Sequence, residues 1–303
     1  MYTDRAWLLD ASIYIFRAWF SMPDRWHTQD GDPVQAVYGY TKFLLDLIDQ
    51  TGTAFYGAAA FDESLGSNYR NDIFPDYKSS RELPDEALAL QLQACRQVTE
   101  KIGMACYSGA RYEADDYLAS VARLFRERDV PVTIVTRDKD LGQILQQPGD
   151  TWWDFAQDVT LDSAAFEQKF GVRPGQFADY LALVGDPIDD IPGVPGVGAK
   201  TAARLLQTFD TLDDLAKGLG VVATLEIRGA AKLQQRLQAH WGQVLLARQL
   251  TGLETHIPEV DEVPVFRLTA QGLADLSDYL TDLNLVGPLT RRCQKMMRDL
   301  EGA

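Results

Sequence analysis

The sequence predicts an α/β fold with a central, largely parallel sheet and a helical second half. Three short apolar segments each lead into an acidic residue, which indicates buried strands. Amphipathic helical patterns separate these strands, as in sheets that are covered by helices on both faces. From about residue 175 the strand patterns fade and helices dominate. We therefore expect an α/β domain over 1–174 and a helical region over 175–303.

The three predicted strands are rich in branched and aromatic residues. They are Ala6–Leu9 before Asp10, Phe55–Phe61 before Asp62, and Val132–Thr136, which reaches Asp138 through Arg137. In open α/β sheets, ligands bind beyond the carboxyl ends of the strands. We therefore expect three carboxylates to meet at one edge of the sheet. An Asp after a single strand also fits an ordinary turn or helix cap.

Helices are predicted where apolar residues recur at helical spacing. One such pattern covers Thr41–Asp49, and another covers Ala114–Arg128. The polar stretch Asp62–Leu83 lacks this pattern, and we expect it to form a long, partly helical excursion. The tail Phe266–Ala303 is predicted to be helical throughout.

The composition excludes several classes of protein. No apolar run is long enough to cross a membrane, and the first residues lack the pattern of a secretory signal, so we expect a cytoplasmic protein. The three cysteines and three histidines are scattered, which disfavours a disulfide framework and a zinc site. A net charge of −15 disfavours nucleic-acid binding unless the acids gather around cations that reverse the local field.

Acidic residues are crowded in three further segments. Glu113, Asp115 and Asp116 open the second predicted helix, Asp138 and Asp140 flank Lys139, and Asp186 and Asp189 follow the helical stretch Phe177–Val184. Each segment alone fits a helix terminus or a turn. Crowded carboxylates repel one another, however, unless a cation lies between them. Oxygen ligands favour Mg²⁺ or Mn²⁺ over zinc, and two such ions about 4 Å apart can clamp a phosphodiester.

A glycine-rich segment, IPGVPGVGAKT, precedes the predicted helix Ala202–Phe209. Gly193, Gly196 and Gly198 permit a tight turn with outward N–H groups, which together with the following helix would form a phosphate-binding nest. The segment resembles a helix-hairpin-helix motif, which grips a DNA backbone without reading sequence. The alternative is a plain turn between helices, and the spacing does not fit a P-loop.

Jointly, these segments resemble the 5′→3′ exonuclease domain of bacterial DNA polymerase I and the related flap endonucleases. The resemblance covers about residues 5–290, and no polymerase segment follows, so we expect a stand-alone form. It is carried by LLD at 8–10, PVQAVYGYTKFLL at 33–45, FD at 61–62, YKSSR at 77–81, YEADD at 112–116, TRDKD at 136–140 and GDPIDDIPGVPGVGAKTAARLL at 185–206.

The resemblance implies a divalent-metal nuclease that hydrolyses DNA at 5′ ends, flaps or branches. It implies two or more Mg²⁺ or Mn²⁺ ions, and a K⁺ ion held by carbonyls of the hairpin. It places Lys78 and Arg81, as catalytic residues, in a helical arch at about 64–95. The implied metal ligands are Asp10, Asp62, Glu113, Asp115, Asp116, Asp138, Asp140, Asp186 and Asp189. The implied DNA contacts are Arg17, Arg70, Tyr77, Gly193, Gly196, Gly198 and Lys200.

The expected partner is DNA with a 5′ flap, a branch or a 5′-ended duplex, and an RNA–DNA hybrid is a further possible substrate. We expect a monomer that does not bind membranes. Two alternatives remain open, namely a non-catalytic DNA-junction binding protein and a PIN-type ribonuclease. A phosphatase with a DxD nucleophile is disfavoured because Ser12 stands two residues after Asp10. Three residues depart from the pattern of the family: Ala11 stands where glycine is usual, Arg137 replaces a small residue and Asp190 replaces Asn.

Overall fold

The structure is a computed structural model that describes residues 4–63 and 68–302. Within them the strands form one seven-stranded sheet, in the order β3-β2-β1-β4-β5-β6 with β9 also beside β2, and a separate ladder of β7 and β8. The strands are β1 Ala6–Asp10, β2 Ala54–Ala60, β3 Ala105–Tyr107, β4 Val132–Val135, β5 Thr151–Asp154, β6 Val159–Leu161, β7 Gly185–Asp186, β8 Ile191–Pro192 and β9 Val265–Arg267.

Helices cover both faces of the sheet and build most of the second half of the chain. In the described residues, no helix is long and apolar enough to cross a membrane. The helices are α1 Ala11–Ser21, α2 Gln35–Thr51, α3 Tyr69–Ile73, α4 Glu86–Lys101, α5 Ala114–Arg126, α6 Ser163–Phe170, α7 Phe177–Val184, α8 Ala199–Phe209, α9 Leu212–Lys217, α10 Ala230–Ala239, α11 Trp241–Thr251, α12 Ala270–Asp282 and α13 Pro288–Glu301, with 3₁₀ turns at Asp140–Ile144, Pro174–Gln176 and Leu219–Thr224.

The three strands predicted from sequence form the centre of the sheet. β1 lies between β2 and β4 and is parallel to both. β3 and β5 extend the parallel part on either side, while β6 runs antiparallel to β5. The prediction of a mostly parallel sheet flanked by helices is therefore confirmed.

The strand β9 corrects the prediction that the tail is helical from Phe266. It pairs antiparallel with the first half of β2, where Phe55 lies opposite Phe266. β3 pairs with the last half of the same strand. Two short strands, distant in sequence, thus share one side of β2. A three-residue strand carries too little periodicity to be recognised from sequence.

Three hydrophobic clusters define the layers. One lies between the sheet and α1, α2, α4, α12 and α13. A second lies under α5 on the opposite face, and also takes in Ile257 and Val260. The third belongs to the helical second half, from Phe166 in α6 to Leu250 in α11. The predicted division near residue 174 stays a prediction.

The segment 64–95, predicted as a helical arch, holds only short structure before α4. Residues 64–67 lie outside the described residues. The remainder consists of the five-residue helix α3, turns over 75–80 and the N-terminal part of α4. Asn68 caps α3 by accepting a hydrogen bond from the N–H of Arg70 at 2.8 Å. In the described part, turns rather than a continuous helix carry Lys78.

Candidate active site

Acidic side chains gather at the carboxyl edge of the parallel sheet, as the sequence predicts. Asp10 is the last residue of β1. Asp62 follows β2, and Asp138 follows β4. Glu113 caps the N-terminus of α5, whose first turn contains Asp115 and Asp116. The strand order, with β1 between β2 and β4, brings these elements together.

These acids face an open cleft of about 450 Å³. Six basic or phenolic residues line the same space, namely Arg70, Tyr77, Lys78, Arg81, Arg137 and Lys139. Eight of the nine acids proposed from sequence line it: Asp10, Asp62, Glu113, Asp115, Asp138, Asp140, Asp186 and Asp189. The cleft is therefore strongly acidic on one side and carries cations at its border.

One group of carboxylates is crowded and lacks basic partners. Asp10, Asp62, Asp115 and Asp138 form no salt bridge in the part of the chain that the structure describes. Burial, together with repulsion from Asp62 and Asp138, raises the pKa of Asp10 to about 7. Burial and repulsion from the neighbouring acids raise the pKa of Asp115 well above its usual value. Such a group binds a proton or a cation more readily than isolated carboxylates do.

Thr136 and Ser12 orient this group. The hydroxyl of Thr136 donates a hydrogen bond to Asp10 Oδ2 at 2.7 Å and accepts one from the N–H of Asp138 at 2.9 Å. The hydroxyl of Ser12 accepts a hydrogen bond from the N–H of Asp62 at 2.9 Å. Neither residue was proposed from sequence, because a hydroxyl after a strand has many ordinary uses.

Asp140 and Asp186 are held together by a cation. Lys139 Nζ lies 3.0 Å from Asp140 Oδ1 and 3.3 Å from Asp186 Oδ2. The N–H of Asp140 also donates to Asp138 Oδ1 at 2.8 Å. Burial and the charge of Asp138 nevertheless raise the pKa of Asp140 to about 7. Lys139 therefore links the acids that follow β4 to the loop that follows α7.

The turn that carries Lys78 and Arg81 is anchored on acids of the cleft. Lys78 Nζ lies 2.5 Å from Glu113 Oε1 and 3.6 Å from Asp189 Oδ2. Arg81 NH2 lies 2.6 Å from Asp189 Oδ1. Burial opposes ionisation of Glu113, but the cations of Lys78 and Arg70 outweigh it and lower the pKa of this carboxyl.

Backbone contacts hold the same turn against the loop 186–190. The N–H of Lys78 donates to the carbonyl of Asp189 at 3.1 Å, and the N–H of Ser80 donates to Asp190 Oδ2 at 2.8 Å. Lys78 and Asp190 have φ values of +53° and +58°. Asp190, which departs from the pattern of the family, thus fixes the backbone beside Lys78. Arg137, the other departure, pairs with Asp154 at 3.2 Å.

Arg70 lines the cleft but is buried in a network of acids and carbonyls, and its predicted contact with DNA stays a prediction. Its side chain is 2% exposed. NH1 and NH2 donate to the two carboxylate oxygens of Asp116, each at 2.7 Å. The guanidinium also donates to the carbonyls of Leu250 and Gly252 at 2.9 and 2.8 Å. Arg70 is therefore an interior residue that ties the segment after β2 to the end of α11.

Asp116 and Tyr77 belong to the same buried network. Asp116 is fully buried in its pair with Arg70 and does not line the cleft, and its role as a metal ligand stays a prediction. Tyr77 is 3% exposed, and its hydroxyl donates to Glu113 Oε2 at 2.9 Å. A ring buried in this way offers no face to a nucleobase. Tyr77 instead orients Glu113.

The remaining predicted DNA contacts lie on the surface. Arg17 is exposed on α1, next to Phe16, which lines the cleft. Gly196, Gly198 and Lys200 are exposed at the turn between α7 and α8. The structure does not bring these residues into the cleft, and their DNA-contacting roles stay predictions.

Glycines shape this hairpin. A Cβ on Gly193 would lie 2.2 Å from the carbonyl oxygen of Val184, so only glycine fits where β8 crosses the end of α7. Gly196 has a φ of +74°, a conformation that favours glycine. The sequence-predicted helices on either side, α7 and α8, pack against each other.

The donor chemistry of the cleft fits a hard divalent cation, but no finished coordination shell is present. Throughout 4–63 and 68–302, no three His, Cys, Asp or Glu side chains are arranged to hold one ion together. The fit comes instead from Asp10, Asp62, Asp115 and Asp138, oxygen donors that line one cleft and form no salt bridge within the described residues. Small rotations of these side chains or bridging waters would complete a shell.

The fold is that of a PIN-like α/β domain joined to a SAM-like helical region. A family model for the N-terminal, resolvase-like domain of 5′-3′ exonucleases matches residues 5–171. A second model, for the C-terminal SAM fold of 5′-3′ exonucleases, matches residues 172–271. The chain belongs to the 5′-3′ exonuclease family and is a nuclease.

Individual relatives agree with this assignment. The 5′-3′ exonuclease of Buchnera aphidicola is 30% identical over 83% of this chain and 86% of its own length. DNA polymerase I of Rhizobium leguminosarum is 32% identical over 95% of this chain, which spans only 28% of that protein. The flap endonuclease of bacteriophage T5, in a pseudo-enzyme–product complex with DNA and metal ions, shares the fold with a TM-score of 0.65 and 16% identity, over 99% of this chain and 100% of that one.

Proposed function

We propose that this chain hydrolyses DNA phosphodiester bonds at 5′ ends, flaps or branches with the help of divalent cations. The observation that carries the proposal is the acidic cleft at the carboxyl edge of the sheet, with Lys78 and Arg81 at its border. Unpaired carboxylates on one side and cations on the other fit a metal-bound phosphodiester. The solved T5 flap endonuclease holds DNA and metal ions in the same fold.

The two groups of acids would hold the cations, with Mg²⁺ or Mn²⁺ favoured by the all-oxygen donor set. Asp10, Asp62, Asp115 and Asp138 would serve one position, and Asp140, Asp186 and Asp189 the other. When bound, such cations activate a water molecule and stabilise the charge of the departing oxygen. Thr136 keeps Asp10 and Asp138 in place for this role.

Lys78 and Arg81 would contact the phosphate at the bond that is cut. Both already point toward the acids, and their salt bridges with Glu113 and Asp189 hold them there. With divalent cations bound, the acids would serve as their ligands, and Lys78 and Arg81 would be positioned to donate to the phosphate. Charges fixed in advance where charge develops stabilise a transition state without reorganisation.

The exposed hairpin at Gly193–Gly198, with Lys200 in the first turn of α8, would grip duplex DNA away from the cut. Its outward N–H groups and the helix terminus suit phosphates and read no base sequence. A net charge of −15 is compatible with this role, because DNA binding requires positive charge only on the surface that contacts the DNA.

The test is a cleavage assay on 5′-flap, nicked and gapped DNA, with matching RNA and RNA–DNA hybrid substrates. We expect cleavage that requires Mg²⁺ or Mn²⁺ and stops with a chelator. Asp138→Asn should lower the rate roughly 100-fold or more, because it removes one charge from the metal-binding group. Asp278→Asn makes the same change on the exposed face of α12 and should cleave like the unaltered protein.

Three outcomes would contradict the proposal. Metal-independent cleavage would exclude the role of the acids. Tight binding to branched DNA without cleavage would indicate a junction-binding protein, and a preference for single-stranded RNA would indicate a PIN-type ribonuclease. The monomeric state and the cytoplasmic location stay predictions, and gel filtration would test the first.

A further inference from the structure

Several carbonyl groups of the hairpin that would grip DNA already accept a hydrogen bond. Gln243 Nε2 donates to the carbonyls of Pro192 and Gly193 at 3.0 and 2.9 Å. The carbonyl of Val194 accepts the N–H of Val197 at 2.9 Å. The carbonyl of Gly198 accepts two N–H groups from the first turn of α8. The resemblance implies that a potassium ion would be held by backbone carbonyls of this hairpin.

A positive charge also lies against the hairpin. Arg236, near the end of α10, donates from NH1 to the carbonyl of Pro195 at 2.9 Å. A Cβ placed on Gly196 would lie 2.0 Å from the same nitrogen, so the guanidinium packs directly on the bare backbone of that glycine. A cation in contact with these carbonyls would be repelled by the guanidinium. The residues present therefore do not fit the potassium ion that the resemblance implies.

Arg236 retains donors for a second partner. A guanidinium has five N–H donors. NH1 bonds Pro195, and Nε bonds the carbonyl of Lys232 at 3.3 Å. Within the described residues, Arg236 forms no salt bridge, and NH2 donates to no protein acceptor. The group is partly exposed, is held by the carbonyl of Pro195, and lies against the backbone of Gly196.

We infer that Arg236 is a DNA-backbone contact of the hairpin and supplies the positive charge that a bound potassium ion would otherwise provide. The inference rests on the proposed function, because it assumes that the hairpin contacts duplex DNA. Arg236 would bond a phosphate oxygen through NH2 while Pro195 holds NH1. Arginine suits this double task because its planar fork binds two acceptors at fixed angles.

The experiment measures binding of 5′-flap DNA by fluorescence anisotropy, with a chelator present to prevent cleavage. Affinity is compared in KCl, NaCl and tetramethylammonium chloride at equal ionic strength, and then over a range of salt. The unaltered protein should bind equally well in all three salts. Arg236→Ala should weaken binding roughly tenfold and make the log–log salt slope shallower by about 0.9, as loss of one phosphate contact requires.

Two further substitutions and one control separate charge from packing. Arg236→Lys should recover much of the affinity and the slope, whereas Arg236→Gln should recover neither. Lys232→Ala removes one positive charge from the same exposed helix and should change both quantities less. A thermal melt of each variant confirms that the fold is intact.

The outcomes are distinguishable. Clearly tighter binding in KCl than in NaCl would show a potassium site and overturn the inference. So would an Arg236→Ala variant that behaves like Lys232→Ala. If the unaltered protein does not bind flap DNA at all, the proposed function itself fails.

Discussion

Replacing Arg70 by Ala should destabilise the protein strongly rather than weaken DNA binding. The side chains of Arg70, Asp116 and Glu113 are 2%, 0% and 10% exposed. Removal of the arginine leaves Asp116 buried without a cation, leaves Glu113 with Lys78 as its cation, and deprives the carbonyls of Leu250 and Gly252 of their donor. Breaking a buried ion pair from one side costs about 3–5 kcal/mol.

The expected change in melting temperature follows from this free energy. For a chain of this size, 1 kcal/mol corresponds to roughly 2 °C, so Arg70→Ala should melt roughly 6–10 °C lower. Arg111→Ala is the matched control. Its pair with Asp72 is 3.8 Å long, and the two side chains are 67% and 76% exposed. An exposed pair contributes about 0–1 kcal/mol, so this variant should melt within roughly 2 °C of the unaltered protein.

Thermal unfolding followed by circular dichroism measures both variants, and flap-DNA anisotropy is recorded on the same samples. A double variant, Arg70→Ala with Asp116→Asn, should be less destabilised than the sum of the single variants, because the second change removes the unpaired charge. If Arg70→Ala melts normally and binds DNA less tightly, the interior role is wrong and the surface role predicted from sequence is right.

Three more substitutions test the cleft and the hairpin. Lys78→Ala should lower the single-turnover cleavage rate at saturating DNA more than it weakens DNA binding, because a contact made in the transition state acts on kcat. Weaker binding at an unchanged rate would show that Lys78 only binds a phosphate of the substrate. Asp190→Ala should lower the single-turnover cleavage rate roughly tenfold, because it releases the N–H of Ser80 and disfavours the positive φ at this position. Asp190→Asn keeps an acceptor for that N–H and should cleave at a near-normal rate. An equal loss of rate in both variants would refute a positioning role for Asp190. Gly196→Val should weaken binding of flap DNA and make its salt dependence shallower, because it strains a φ of +74° and displaces Arg236. Cleavage of a short single-stranded 5′ end should change less. Equal losses on both substrates, with an unchanged melting temperature, would contradict a grip on duplex DNA.

The sequence predicts the parts of the site that depend on local pattern. Asp10, Asp62 and Asp138 each end an apolar strand, so a parallel sheet brings them to one edge. The sequence alone predicts that these three carboxylates are crowded, because neighbouring strands of a sheet lie a fixed distance apart. The end of α7 is likewise predicted from sequence, because Gly185 can adopt the φ of +81° that ends the helix.

Contacts between distant segments are what the sequence does not show. Arg70 stands in a polar stretch and looks solvent-exposed until the carbonyls of Leu250 and Gly252 are placed beside it. Arg236 reaches Pro195 only because α10 folds back on the hairpin. A side chain whose partner lies 41 or 180 residues away leaves no periodicity for a pattern to detect.

The pairing of β9 with β2 has a consequence for how the chain matures during synthesis. On the side of β2 away from β1, residues 54–56 acquire their strand partners only when 265–267 have been made, and Phe266, Leu273, Leu276 and Leu280 then close the same hydrophobic layer. A chain that ends before β9 would therefore leave part of this sheet edge and of this apolar layer uncovered. Such an edge can add a foreign strand and so aggregate.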